Sequence, residues 1–216
     1  MTRIALIHAL KHSITPVEEA FGRLWPEARL ANLLDDSLSA DLARDGELTR
    51  AMTDRFLALA RYARSCGAEG ILFTCSAFGP CIEACARELA PMPVLKPNEA
   101  MIEEAIAQGG SHSRIGLLAT FAPTLQSMPA EFAAAAPEAK VVPCLATASL
   151  AALDRGDLAG HDRAAAEASR ALQGCDVVAL AQFSLARAAP LVAEVTGKPV
   201  LTTPDSAVRK LRALLA

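Results

Sequence analysis

Short apolar runs, each bounded by charge, glycine or proline, alternate along this chain with longer stretches in which apolar residues recur every three or four positions. The runs read as strands buried on both faces and the stretches as amphipathic helices, a pattern that predicts an α/β protein built on parallel sheets. Arg3–His8 is the first strand, and a helix start follows at Thr15-Pro16, with Glu18 and Glu19 in its first turn; Pro26 stops that helix after Trp25. Arg29–Leu34 is the second strand. A long helix is expected over Leu48–Ser65, with Leu57, Ala60 and Tyr62 on its buried side. Gly70–Phe73 is the third strand and Gly79-Pro80 open a helix running to Leu89. A short strand at Val94-Leu95 and a helix over Asn98–Gln108 lead to Gln108-Gly109-Gly110-Ser111, a flexible-looking break and a hinge candidate.

After that break the pattern starts again. Arg114-Ile115-Gly116-Leu117-Leu118 repeats Arg3-Ile4-Ala5-Leu6-Ile7 at a spacing of 111 residues, and at the same spacing Phe132 repeats Phe21 and Pro137–Lys140 repeats Pro26–Arg29. Further on the spacing is 107, where Gly174–Leu180 repeats Gly67–Phe73 and Pro204–Ala207 repeats Pro97–Ala100. An ordered series of this kind predicts two pseudo-symmetric, duplicated α/β lobes, each a roughly four-stranded parallel sheet flanked by helices. The first lobe is expected over 1–97, joined by the C-terminal helix 205–216, and the second over 98–204. Facing lobes of this kind would set equivalent strand ends on opposite sides of one cleft, the expected active site.

The candidate chemistry sits at such a strand end. Thr74-Cys75-Ser76 places one thiol between two hydroxyls at the carboxyl end of the Gly70–Phe73 strand, where open α/β sheets bind ligands. The residue expected to face Cys75 is its repeat mate, Gln182, an amide that exchanges no proton at useful pH. A reactive Cys75 is expected to have a depressed pKa. Cys66, Cys81, Cys85 and Cys175 read as core packing, and Cys144 is a candidate second acid at the end of its strand. His112 and His161 read as solvated loop residues, and Asp205 as the N-cap of the last helix.

Composition removes other classes of function. Hydrophobic residues make up 52% of the 216 positions, ample for a sizeable core, and a formal net charge of −3 leaves no basic footprint for nucleic acid or an anionic membrane. Charge or proline interrupts every apolar run before it reaches a membrane span, and the N-terminus is too abruptly polar for a signal peptide. The six cysteines show neither CxxC pairs nor zinc spacing, so a reduced, cytoplasmic protein without a structural metal is expected. No Gly-rich phosphate loop indicates a nucleotide, and no cofactor is expected. A homodimer is the expected assembly.

The two lobes, the Cys-bearing strand end, the segment Ile115-Gly116-Leu117-Leu118-Ala119-Thr120 and the closing run Pro199–Ala207 together resemble the aspartate/glutamate/hydantoin racemase superfamily over nearly the whole chain. The resemblance implies a cofactor-independent racemase or isomerase acting on a small carboxylic acid, with Cys75 as acid/base at the α-carbon. It implies substrate contacts from Thr74, Ser76 and Thr120, with Phe121, Phe183, Ser184 and His8 beside them; Ser184 reads equally as a helix cap. Racemases of this kind use two facing cysteines, and Gln182 departs from that pattern. The departure opens alternatives: a one-cysteine decarboxylase of a malonate-type acid, a cis–trans isomerase with Cys75 as nucleophile, a racemase whose second proton comes from Cys144 or His8, or a non-catalytic module that binds a small anion.

Overall fold

The computed structural model describes residues 1–110 and 112–216; of the Gln108–Ser111 break, Ser111 lies outside the described residues. The chain divides into two compact units, one of residues 1–99 with 207–216 and one of residues 100–206.

The first unit contains β1 (Arg3–His8), α1 (Ile14–Leu24), β2 (Arg29–Leu34), α2 (Ser37–Asp45), α3 (Arg50–Ser65), β3 (Gly70–Phe73), α4 (Gly79–Leu89) and β4 (Val94–Leu95). Its strands form one parallel sheet in the order β2-β1-β3-β4, with Ile7 opposite Phe73 and Leu6 opposite Asn32. β3 is buried at all four positions, as its uninterrupted apolar run requires. One face of the sheet, carrying Ala5, Ile7, Ile71 and Phe73, packs on Phe56 and Ala60 of α3 and on Cys81, Ile82 and Cys85 of α4. Phe56 stacks on Phe73 at 5.3 Å between ring centroids and lies 4.9 Å from Phe78.

Next come α5 (Glu99–Gly109), β5 (Arg114–Ala119), α6 (Ala122–Ala135), β6 (Lys140–Leu145), α7 (Thr147–Asp154), α8 (Leu158–Ser169), β7 (Val177–Leu180), α9 (Ala189–Thr196), β8 (Val200–Thr202) and α10 (Thr203–Leu215), which begins in the second unit and ends in the first. The second sheet is also parallel, in the order β6-β5-β7-β8. Leu118 stands opposite Leu180 and Leu117 opposite Pro143. These registers reproduce those of the first sheet at spacings of 111 and 107, so Cys75 and Gln182 follow equivalent strand ends. Two four-stranded parallel sheets, each flanked by helices, make this a duplicated α/β protein. No helix among the described residues is long and apolar enough to cross a membrane.

Several local expectations change. α2 forms in a charged stretch for which the apolar pattern predicts no element; Leu38, fully buried, is its one deep anchor. α1 begins at Ile14, before Pro16, which puts Glu18 in its second turn. On α3, Ala60 is buried but Tyr62 is 57% exposed, because its position turns to the solvent side of the helix. Cys81, Cys85 and Cys175 are buried as expected, whereas Cys66, which caps the end of α3, is exposed. His161 is fully buried in α8, hydrogen-bonded to Ser149 and to the Ser184 carbonyl, and so is no solvated loop residue. His112 is exposed. Asp205 lies inside the first turn of α10, where the Thr202 hydroxyl accepts its backbone N–H; Thr202 does the capping.

Candidate active site

Cys75 follows β3 by two residues and has extended backbone, φ −127° and ψ 120°, at the entry to a 3₁₀ turn over Ser76–Phe78. Both ends of this short loop are anchored. Phe78 is fully buried against Phe56, and Thr74, 7% exposed, donates its backbone N–H to Ile7 of β1 at 3.1 Å. Between these anchors the Cys75 side chain packs against the core under α3 and α4 while remaining partly exposed. Burial pushes its thiol above the ordinary 9.0, and the backbone N–H of Ala77 draws it partway back. The depressed pKa expected of a reactive thiol is therefore not what this loop creates: near neutral pH Cys75 is a proton-bearing acid. Ser76 is partly exposed, and its hydroxyl makes no protein hydrogen bond among the described residues.

On the other face of the sheet, at the neighbouring end of β1, lies a polar cluster that is buried at His8, Ser13 and Thr74 and exposed at Asn32 and Glu18. The His8 ring is fully buried; its Nδ1 lies 2.9 Å from Thr74 Oγ1 and 3.0 Å from Ser13 Oγ, and its Nε2 lies 2.9 Å from Asn32 Oδ1. The two hydroxyls are 2.8 Å apart, Ser13 Oγ is 2.8 Å from the Leu10 carbonyl, and Asn32 Nδ2 donates to Glu18 Oε1 at 2.7 Å. Desolvation holds His8 below its ordinary 6.5, so the ring is neutral. His8 and Thr74, expected as substrate contacts, are thus engaged by the protein: no part of His8 is open to solvent, and both nitrogens are taken.

At the equivalent end of β7, Gln182 has extended backbone and leads into a 3₁₀ turn over Phe183–Ala188. The Thr120 backbone N–H and hydroxyl both point at its side chain, at 2.6 and 2.9 Å. A backbone N–H only donates, so the atom it meets is the amide oxygen, and the Gln182 NH₂ is left with no protein partner among the described residues. Thr120 is 2% exposed, Phe121 beside it 53% exposed, and Phe183 buried. Ser184 is partly exposed and caps no helix, since α9 starts after Ala188. Cys144 donates its thiol to the Ala168 carbonyl at 3.2 Å and packs on the core beneath α8, a structural engagement. One further group is not marked by the sequence as a site residue: Asn98, just before α5, is 2% exposed and its Nδ2 has no partner among the described residues. Only the three-dimensional burial of that amide singles it out.

Among the described residues no group of three or more His, Cys, Asp or Glu side chains is placed to hold a metal ion. The first unit offers a protonated thiol and a free serine hydroxyl after β3; the second offers an amide donor and the Ser184 hydroxyl after β7.

Known proteins share this architecture. An aspartate racemase homologue from Pyrococcus horikoshii superposes with a TM-score of 0.76 at 16% identity, covering 99% of each chain. Allantoin racemase from Klebsiella pneumoniae gives 0.72 at 20% identity, over 100% of this chain and 88% of the other. Unliganded arylmalonate decarboxylase gives 0.69 at 18% identity, over 100% and 93%. No curated protein matches by sequence. At such identities the likeness establishes the fold. The family model for Asp/Glu/hydantoin racemases, however, matches residues 16–213, nearly the whole sequence, and by that match the chain belongs to the Asp/Glu/hydantoin racemase family.

Proposed function

We propose that this protein is a cofactor-independent enzyme of racemase or isomerase type that moves a proton at the α-carbon of a small carboxylic acid, with Cys75 as the acid/base. The observation that carries the reading is the Cys75 thiol: partly exposed at the end of a central strand, anchored on both sides, and kept protonated by burial. An S–H bond is the right resting state for delivering a proton to a planar enolate, and the wrong one for a nucleophile that must add to a double bond. That argues against cis–trans isomerisation through a thiolate adduct. Ser76 supplies a free hydroxyl for the substrate carboxylate.

Decarboxylation is the second reading, favoured by the thiol count. Gln182 follows the strand end equivalent to that of Cys75, and an amide cannot serve as a second acid. In this version a malonate-type acid loses carbon dioxide, the electrons of the broken C–C bond pass into an enediolate, and Cys75 gives its proton to the α-carbon. Water then reprotonates the thiolate.

The test follows malonates, 2-substituted carboxylic acids and hydantoins by NMR in D₂O, with wild type beside Cys75→Ser. Deuterium entry or carbon dioxide loss that falls at least a hundredfold in Cys75→Ser supports the assignment. Exchange with retained optical purity marks one-sided delivery; racemisation marks a second base. Unchanged turnover in Cys75→Ser removes Cys75 from the mechanism, and no reaction across the panel turns the reading to a module that binds a small anion.

A further inference from the structure

We propose that Glu18, acting through Asn32 and His8, fixes the direction of a hydrogen-bond chain that runs inward from the exposed Glu18 and Asn32 side chains to buried His8 and Thr74, and thereby positions the strand end carrying Cys75. Its geometry stands alone; its consequence for catalysis rests on the reading of Cys75 given above.

The direction follows from what each group is able to do. A carboxylate accepts, so the Asn32 atom 2.7 Å from Glu18 is its NH₂ and the atom facing His8 is its carbonyl oxygen. An oxygen only accepts, so His8 Nε2 carries the ring proton. In a neutral imidazole Nδ1 is then an acceptor and needs a hydroxyl proton, from Thr74 at 2.9 Å or Ser13 at 3.0 Å. Ser13 gives its one proton to the Leu10 carbonyl at 2.8 Å, so Nδ1 takes the Thr74 proton, and the chain runs Thr74 to His8 to Asn32 to Glu18. Each bond polarises the next toward the carboxylate. The opposite tautomer would turn the Asn32 oxygen against Glu18.

Thr74 is left with no proton to offer a ligand. Its hydroxyl proton points into the His8 ring and its N–H is held by Ile7. The side chain is a positioning group on the face of the sheet opposite the thiol, while Cys75 and Ser76 remain partly exposed.

The second unit supplies an independent argument. At the positions equivalent in register to His8, Asn32 and Thr74 stand Ala119, Pro143 and Ala181, and the helix position equivalent to Glu18 is Pro129. The same sheet is therefore built there without any such chain. Buried polar groups destabilise unless they are satisfied, so burying His8, Ser13 and Thr74 beside the strand end that bears Cys75 points to a task beyond folding.

The experiment is a long-range ¹H–¹⁵N correlation spectrum of the full chain at pH 7.5, with the His8 ring assigned by its loss in His8→Gln. A single Nε2–H tautomer is expected; an Nδ1–H tautomer or an imidazolium overturns the proposal. In Glu18→Gln, whose amide presents either atom to Asn32, an Nδ1–H population should appear; a spectrum unchanged from wild type removes Glu18 as the group that sets direction. For any acid that passes the exchange screen, Thr74→Val should lower kcat about tenfold with KM unchanged, and Thr74→Ser should restore it. A rise in KM at constant kcat would make Thr74 a ligand contact and overturn the positioning role. The tautomer is read without substrate, so a wrong tautomer sinks this inference alone and an inert Cys75→Ser comparison sinks the functional reading alone.

Discussion

Cys75 and His8 lie at the ends of neighbouring strands, on opposite faces of the sheet, and burial moves their proton equilibria in opposite directions for the same reason: it penalises the charged form. For Cys75 the charged form is the thiolate, so its reactivity should lag behind that of a free thiol. In peptide-resolved iodoacetamide labelling near pH 8, exposed Cys66 should react first, and Cys75 should accelerate only above the usual thiol range of 9.0. Saturation of Cys75 labelling below pH 8 would contradict this. For His8 the charged form is the imidazolium. Its folded-state pKa lies below 6.5, so the unfolded chain takes up a proton that the folded protein refuses. The stability His8 contributes is complete above 6.5 and is lost progressively as pH falls below it. The urea midpoint should therefore drop less between about pH 7 and 5 in His8→Gln than in wild type; equal drops would show that other groups control the acid limb. The candidate residue was legible in the sequence, because a thiol between two hydroxyls after an apolar run is a local signal. Its protonation state was not, since that depends on how much of α3 and α4 closes over it.

The strands were legible because each is a short apolar run bounded by polar residues, and a strand buried on both faces needs nothing more from the sequence. Helix α2 was not, since its charged residues serve the surface: Arg55 of α3 binds Asp35 and Asp41, at 2.6 and 2.5 Å, across a gap of sequence that no periodicity links. Gly70 shows what one element demands of another. A Cβ placed there would lie 2.9 Å from Leu215 Cδ1 and 3.1 Å from Leu211 Cδ1, so α10 rests directly on the start of β3. The equivalent residue of the second sheet is Val177. Gly70→Val, which copies the second unit into the first, should cost about 1–3 kcal/mol by overpacking, measured by urea denaturation. A neutral result would mean that α10 shifts freely.

Duplication gives the molecule two copies of one sheet and lets their chemistry diverge. At equivalent strand ends one copy bears a thiol backed by a polar chain that is buried at His8 and Thr74. The other bears an amide locked to Thr120 and backed by alanines and a proline. All six cysteines are free, with Cys81 and Cys85 buried in α4 and the Cys85 thiol pushed up to about 12. Stability drawn from two packed cores and no covalent cross-link should not depend on redox conditions. The melting temperature is expected to be the same with and without reductant; a fall of several degrees on adding it would reveal a disulfide in solution.

The repeat, the two parallel sheets and the thiol at a strand end are written in the order of residues, because hydrophobic period and local motif specify them over a few positions at a time. The roles of His8, Thr74, Asn98 and Gln182 are not. They depend on which donor meets which acceptor once residues far apart in sequence, such as His8, Asn32 and Thr74, are brought within 3 Å. A hydrogen bond has direction and burial has depth, and neither is a property of the sequence until the chain has closed on itself.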